Sequence, residues 1–159
     1  MGTTAFLRRT VAAIAIVALA AAPAALARGQ ETGIELIGGS GRAVLTMRGA
    51  ALGSLERGRI TVRISSANTQ VKVEGHDWTR RSGGEITYGG TGIRFRIFRG
   101  QWRATLVGSG INVSAVGRGT VGLHGSGQYS LGGARAERWP GGFEVIRLGN
   151  DGRPGGDGR

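Results

Sequence analysis

The chain has 159 residues, 32 of them glycine and none cysteine, and its formal net charge at pH 7 is +11. A chain of this length builds one hydrophobic core, and without cysteine it has neither disulfides nor thiolate zinc ligands to stabilise it. Arginine provides 20 of the 21 basic residues, a skew typical of a GC-rich genome, so the charge alone does not indicate a nucleic-acid partner.

The N-terminus has the three parts of an export signal. The pair Arg8-Arg9 provides a positive n-region, residues 11–22 form an apolar run, and Ala25-Leu26-Ala27 is a small-x-small cleavage site. The run is shorter than the roughly 20 residues of a membrane span. We therefore expect a helical signal peptide at residues 1–27 and an exported mature chain without a transmembrane segment. The arginine pair leaves both the general secretory route and the twin-arginine route open.

The rest of the chain consists of short alternating segments between glycines. The apolar positions of three such segments are Ile60, Val62 and Ile64, then Val71 and Val73, then Ile93, Phe95 and Ile97. Alternation of this kind gives each strand one face for a core and one for water, as in antiparallel sheets. The sequence therefore predicts an all-β domain at 28–148, a single antiparallel β-sandwich or barrel of roughly eight to ten strands with short glycine-rich turns.

The clearest hairpin is predicted over residues 93–107, with its turn at Arg99-Gly100-Gln101. Pairing Ile97 with either Trp102 or Ala104 keeps the apolar residues on one face, which leaves the loop length open.

Gly-x-Gly motifs begin at Gly108, Gly117 and Gly125. Spacings of nine and eight residues suit a tight meander or a small β-solenoid. No such period is evident in the earlier half of the chain, which favours the sandwich or barrel. Residues 143–148 are predicted as the last strand, and 149–159, with only Gly, Pro, Asp, Arg and Asn, as a disordered tail.

Residues 92–131 contain the segments GIRFRI, GQWR, GSGINVSAVGRG and GQYSL. This stretch, about a quarter of the chain, resembles secreted β-rich proteins of GC-rich bacteria. The resemblance implies an all-β fold and brings no activity with it.

Catalytic candidates are sparse. A serine hydrolase would need a nucleophile, a base and an acid that converge, and Ser126 near His124 lies in no Gly-x-Ser-x-Gly elbow. The acidic residues are scattered singly, which does not suit a glycosidase pair, and histidines are too few for zinc. We therefore expect no enzyme activity, no cofactor and no metal.

One surface is a candidate ligand-binding site. It combines Arg94, Arg96 and Arg103 with the nearby ring of Trp102. Arginine binds carboxylate and phosphate with two parallel hydrogen bonds, and an exposed aromatic ring stacks on sugars. The alternative is a solvated outer face, with Trp102 covering the edge of the core.

Three functions from different classes follow from these observations. The first is a secreted, non-catalytic domain with an envelope-associated or structural role. The second is a lectin-like module for acidic polysaccharide or cell-wall polymer, and the third is an unrecognised hydrolase. The expected partner is an anionic envelope polymer or another secreted protein, met outside the cell or at its envelope, and not nucleic acid.

Overall fold

A computed structural model describes residues 32–149, which form one antiparallel sheet of seven strands without a helix. The signal peptide predicted at 1–27 and, apart from Gly149, the tail predicted at 149–159 lie outside the described residues. The strands are β1 (Thr32–Ile64), β2 (Gln70–Glu74), β3 (Trp78–Ser82), β4 (Glu85–Phe98), β5 (Gln101–Leu131), β6 (Glu137–Arg138) and β7 (Glu144–Leu148). The prediction of an all-β, antiparallel fold is confirmed. Within residues 32–149 there is no helix of the length and apolarity that crossing a membrane requires.

The predicted hairpin would make β4 and β5 neighbours in the sheet, but they are not adjacent. β1 lies between β4 and β5 and pairs with both. β2 and β3 lie along the outer edge of β4, while β6 and β7 lie along the outer edge of β5. The turn is at the expected place, Arg99-Gly100, with φ values of 60° and 72°. The predicted pairing of residues 93–97 with 102–106 is wrong, because β1 separates the two segments.

The sheet coils about its own core. Leu106 of β5 pairs with Ala43 on one side and with Ile60 on the other, two residues of β1 that are 17 apart. An extended segment of that length spans about 56 Å, yet two residues that flank one strand lie about 10 Å apart. β1 and β5 must therefore curl through a full turn every 17 residues. The pairing never closes, because the coil ends at the outer edges of β2 and β3 on one side and of β6 and β7 on the other.

This coil is one continuous open sheet rather than a pair of sheets or a closed barrel. It has the repeat of a solenoid with antiparallel pairing. The Gly-x-Gly spacings of nine and eight residues together make up one 17-residue turn. The same interval separates Gly41 from Gly58, so the earlier half of the chain does contain this period, and the prediction that it has none is wrong.

A row of glycines crosses the sheet at one register. It runs across neighbouring segments through Gly90, Gly58, Gly108, Gly41 and Gly125. Their φ values lie between 122° and 154°, a range that side chains disfavour. Inward-facing positions also change parity here, from Leu106 to Ile111 in β5. The row therefore marks a line along which the sheet bends and the inward- and outward-facing positions of the strands exchange, while the register between β1 and β4 is kept.

The apolar side chains on the inner face of the coil form a single core. Its largest member is Trp102, which is 1% exposed and donates its indole N–H to the carbonyl oxygen of Gly49 at 3.0 Å. The predicted strand faces are confirmed for the residues Ile60, Val62, Ile93, Phe95 and Ile97, all of which are buried. Arg94 and Arg96, which alternate with them, point outward.

The hydroxyl of Tyr129 links β5 to β6. It donates to Glu137 Oε2 of β6 at 2.7 Å, and this bond, together with burial and the negative charge, raises the pKa of Tyr129 to about 12. The folded state holds this proton more tightly than the unfolded chain does. Its contribution to stability is therefore complete below pH 10, the ordinary value, and is lost as the pH rises through 12.

Ultraviolet absorbance titration of a Tyr88→Phe background isolates the Tyr129 signal. We expect a midpoint near pH 12, and a lower one in the Glu137→Gln variant. An ordinary midpoint in both proteins would contradict the hydrogen bond between β5 and β6.

Candidate binding groove

An open groove of about 530 Å³ crosses the outer face of the coil. Its lining takes three consecutive residues from each of four adjacent strand segments, plus two from β2. The lining residues are Glu35–Ile37, Leu52–Ser54, Arg94–Arg96, Asn112–Ser114, Lys72 and Glu74. The register places these segments side by side, so the groove runs perpendicular to five strand segments.

The floor and the walls have different origins. The middle residue of each triplet belongs to the row that faces the core, so the floor is largely backbone, and Gly53 adds no side chain to it. The outward residues on either side form two walls, two residues and therefore about 7 Å apart along the strands. Five strand segments at the usual spacing give a length of about 19 Å. These dimensions suit an extended chain molecule.

The end of the groove at β2 and β4 is basic. Lys72 Nζ lies 2.6 Å from Glu74 Oε1, and both side chains are largely exposed. The pKa of Glu74 lies below its ordinary value because Lys72 donates a hydrogen bond to it and adds its positive charge, with smaller contributions from Arg96 and Arg94. Neither arginine forms a salt bridge with a described residue. Both guanidinium groups are therefore available to an anion.

The centre of the groove is neutral and partly apolar. Leu52, which is 58% exposed, lies between Arg96 and Ser114 in the register. Asn112 is held in place because its Oδ1 accepts the Gly38 amide at 2.9 Å and its Nδ2 donates to the Gly110 carbonyl at 3.1 Å. The centre thus combines hydroxyl, amide and apolar groups, a mixture common in ligand-binding surfaces.

The four residues that the sequence singled out do not lie together. Arg94 and Arg96 line the groove. Arg103 is exposed but pairs with Arg63 and Thr46 in another part of the coil. Trp102 is buried in the core, as in the alternative interpretation, and offers no ring to a ligand. Binding by the two groove arginines stays a prediction.

The chain's two histidines, its candidate catalytic bases, also lie apart from the groove. His76 packs edge-on against Tyr88, with 5.0 Å between ring centroids. His124 is exposed on β5, opposite Arg42. Across residues 32–149, no hydrogen bond joins either histidine to a serine or a carboxylate. The same residues contain no cluster of three or more His, Asp or Glu placed to hold a metal ion.

Comparison with protein families, with curated proteins and with solved structures found no match to this chain. The resemblance of residues 92–131 to secreted β-rich proteins of GC-rich bacteria therefore stays a prediction.

Proposed function

We propose that this protein is an exported, non-catalytic binding module of the cell envelope, and that its groove holds an extended polysaccharide or wall polymer with anionic groups. The observation that carries the proposal is the pair Arg94 and Arg96, without salt bridges among the described residues, at one end of a groove about 19 Å long. The signal-peptide pattern at residues 1–27 supports export.

The composition of the groove favours a polymer over a small anion. A phosphate or carboxylate alone would engage only the basic end, leaving Leu52, Ser114 and Glu35 without a role. A linear glycan would place an acidic group against the arginines and lay its rings over Leu52. Nucleic acid fits less well, because Glu35 and Glu74 would face its phosphates.

The test is retention of the purified protein on protein-free, insoluble cell-envelope polysaccharide across a salt series. We expect the double variant Arg94→Gln/Arg96→Gln to bind about tenfold to a hundredfold more weakly, since each charge-assisted contact contributes about 1.5–3 kcal/mol before screening. Residual binding of the variant should fall steeply with salt, because only diffuse attraction to the basic surface remains.

The matched control is Arg42→Gln/Arg59→Gln. These arginines are exposed, flank Val107 in the register and line no part of the groove. The control removes the same charge, so it should lower retention only slightly. Equal losses in the two double variants would mean that net charge, not the groove, causes retention, and the proposed function would then be abandoned.

A further inference from the structure

The groove has charges of opposite sign at its two ends. At the β2–β4 end, Lys72 pairs with Glu74, which leaves Arg94 and Arg96 as uncompensated cations. The opposite end is formed by the first turn of β1. There, Glu35 is exposed and forms no ion pair with any residue of the described range. The groove is therefore basic at one end and acidic at the other.

The separation of the charges follows from the register. Arg96, Leu52, Ser114 and Glu35 occupy successive positions across neighbouring strand segments. Three strand spacings place the Glu35 backbone about 14 Å from that of Arg96. The residues between them are neutral, so a ligand with a single sign of charge would be attracted at one end and repelled at the other.

Resting on the proposed function, we propose that the groove selects linear glycans that carry both acidic groups and free amines. An acidic group lies against Arg94 and Arg96, and a protonated amine about three strand spacings away lies against Glu35. A polymer with only acidic groups would bring negative charge to the Glu35 carboxylate. The two ends together also fix the direction in which the ligand lies in the groove.

Two oligosaccharides of the same length test this inference. Both alternate glucuronic acid with glucosamine; one has free amines and the other has every amine acetylated. At neutral pH, titration calorimetry of the purified protein is expected to show about three- to tenfold tighter binding of the free-amine form, the range for a partly screened ion pair.

Glu35→Gln should abolish this preference and leave binding of the acetylated form equal to or tighter than in the unchanged protein. Glu56→Gln is the control, since Glu56 is an exposed acid of β1 that does not line the groove, and it should keep the preference. Circular dichroism of each variant confirms that the fold is intact.

The failures of the two proposals are distinguishable. Equal binding of both oligosaccharides, unchanged by Glu35→Gln, overturns the selection for amines and leaves the proposed function in place. The same holds if neither oligosaccharide binds while retention on envelope polysaccharide still depends on Arg94 and Arg96. Loss of that dependence removes the proposed function itself.

Discussion

Replacing Gly108 by alanine is expected to lower the free energy of unfolding by at least about 3 kcal/mol, among the largest effects of any single substitution in this chain. Gly108 has a φ of +154°, and a Cβ there would lie 2.1 Å from the carbonyl oxygen of Arg57. The backbone of Gly58, whose Cα would be 2.9 Å away, leaves no space for adjustment. A side chain at this position therefore forces β1 and β5 apart at the glycine row, and the bend of the sheet is lost.

Gly33→Ala is the control for this substitution. Gly33 is also a strand glycine, but its φ is not positive and a Cβ would make ordinary contacts of 3.7 Å or more. We expect its effect on stability to stay within about 1 kcal/mol, with a gain as plausible as a loss. Urea denaturation of both variants provides the comparison. Similar midpoints would contradict the close approach of β1 and β5 at the glycine row.

The second large effect is expected for Trp102→Ala, with a loss of about 3–5 kcal/mol of unfolding free energy. The ring is fully buried in the core, and its N–H donates to the Gly49 carbonyl oxygen, which would be left without this partner. Trp102→Phe should cost less, because it keeps most of the apolar volume and loses chiefly the hydrogen bond.

Binding distinguishes this core role from a ligand contact. Since Trp102 lies away from the groove lining, the folded fraction of Trp102→Phe should bind envelope polysaccharide as the unchanged protein does. Trp78→Ala is the control for stability, because this ring is 47% exposed and its removal leaves no cavity in the core. If Trp102→Ala proved as stable as Trp78→Ala, the placement of Trp102 in the core would be wrong.

The faces of the strands could be predicted from the sequence, because they depend only on neighbours two residues apart. Ile93, Phe95 and Ile97 point inward and Arg94 and Arg96 outward, as the alternation indicates. The pairing partners of the strands could not be predicted in this way. Arg99-Gly100 has the composition of a hairpin turn, yet the chain continues along β1 rather than folding back on itself. The alternation of apolar and polar residues specifies which face of a strand is buried, but it does not specify which strand lies beside it.

Half of the groove was missed for the same reason. Glu35 and Leu52 are 17 residues apart and both pair with Ser114 of β5, so they come together only through the turn of the coil. Ile37 and Ser54, also 17 residues apart, line the same groove. The interval from Gly41 to Gly58, repeated from Gly108 to Gly125, is the signal in the sequence that gives this period. Applied to the outward-facing positions, this period relates Glu35 to Leu52 and Ile37 to Ser54.

The coil also determines the order in which the chain can complete its contacts. Ile64 pairs with Trp102, but Ile34 pairs with Leu131, 97 residues further along the chain. Closing longer loops costs more entropy, so folding is expected to start at the β3–β4 hairpin, where Ser82 pairs with Glu85, and to spread outward at the slow rates of non-local β topologies. The first turn of β1 leaves the ribosome early and gains its last partner, residues 118–131, late. Until residues 118–131 have been synthesised, this turn of β1 is therefore accessible to any machinery that binds unfolded segments.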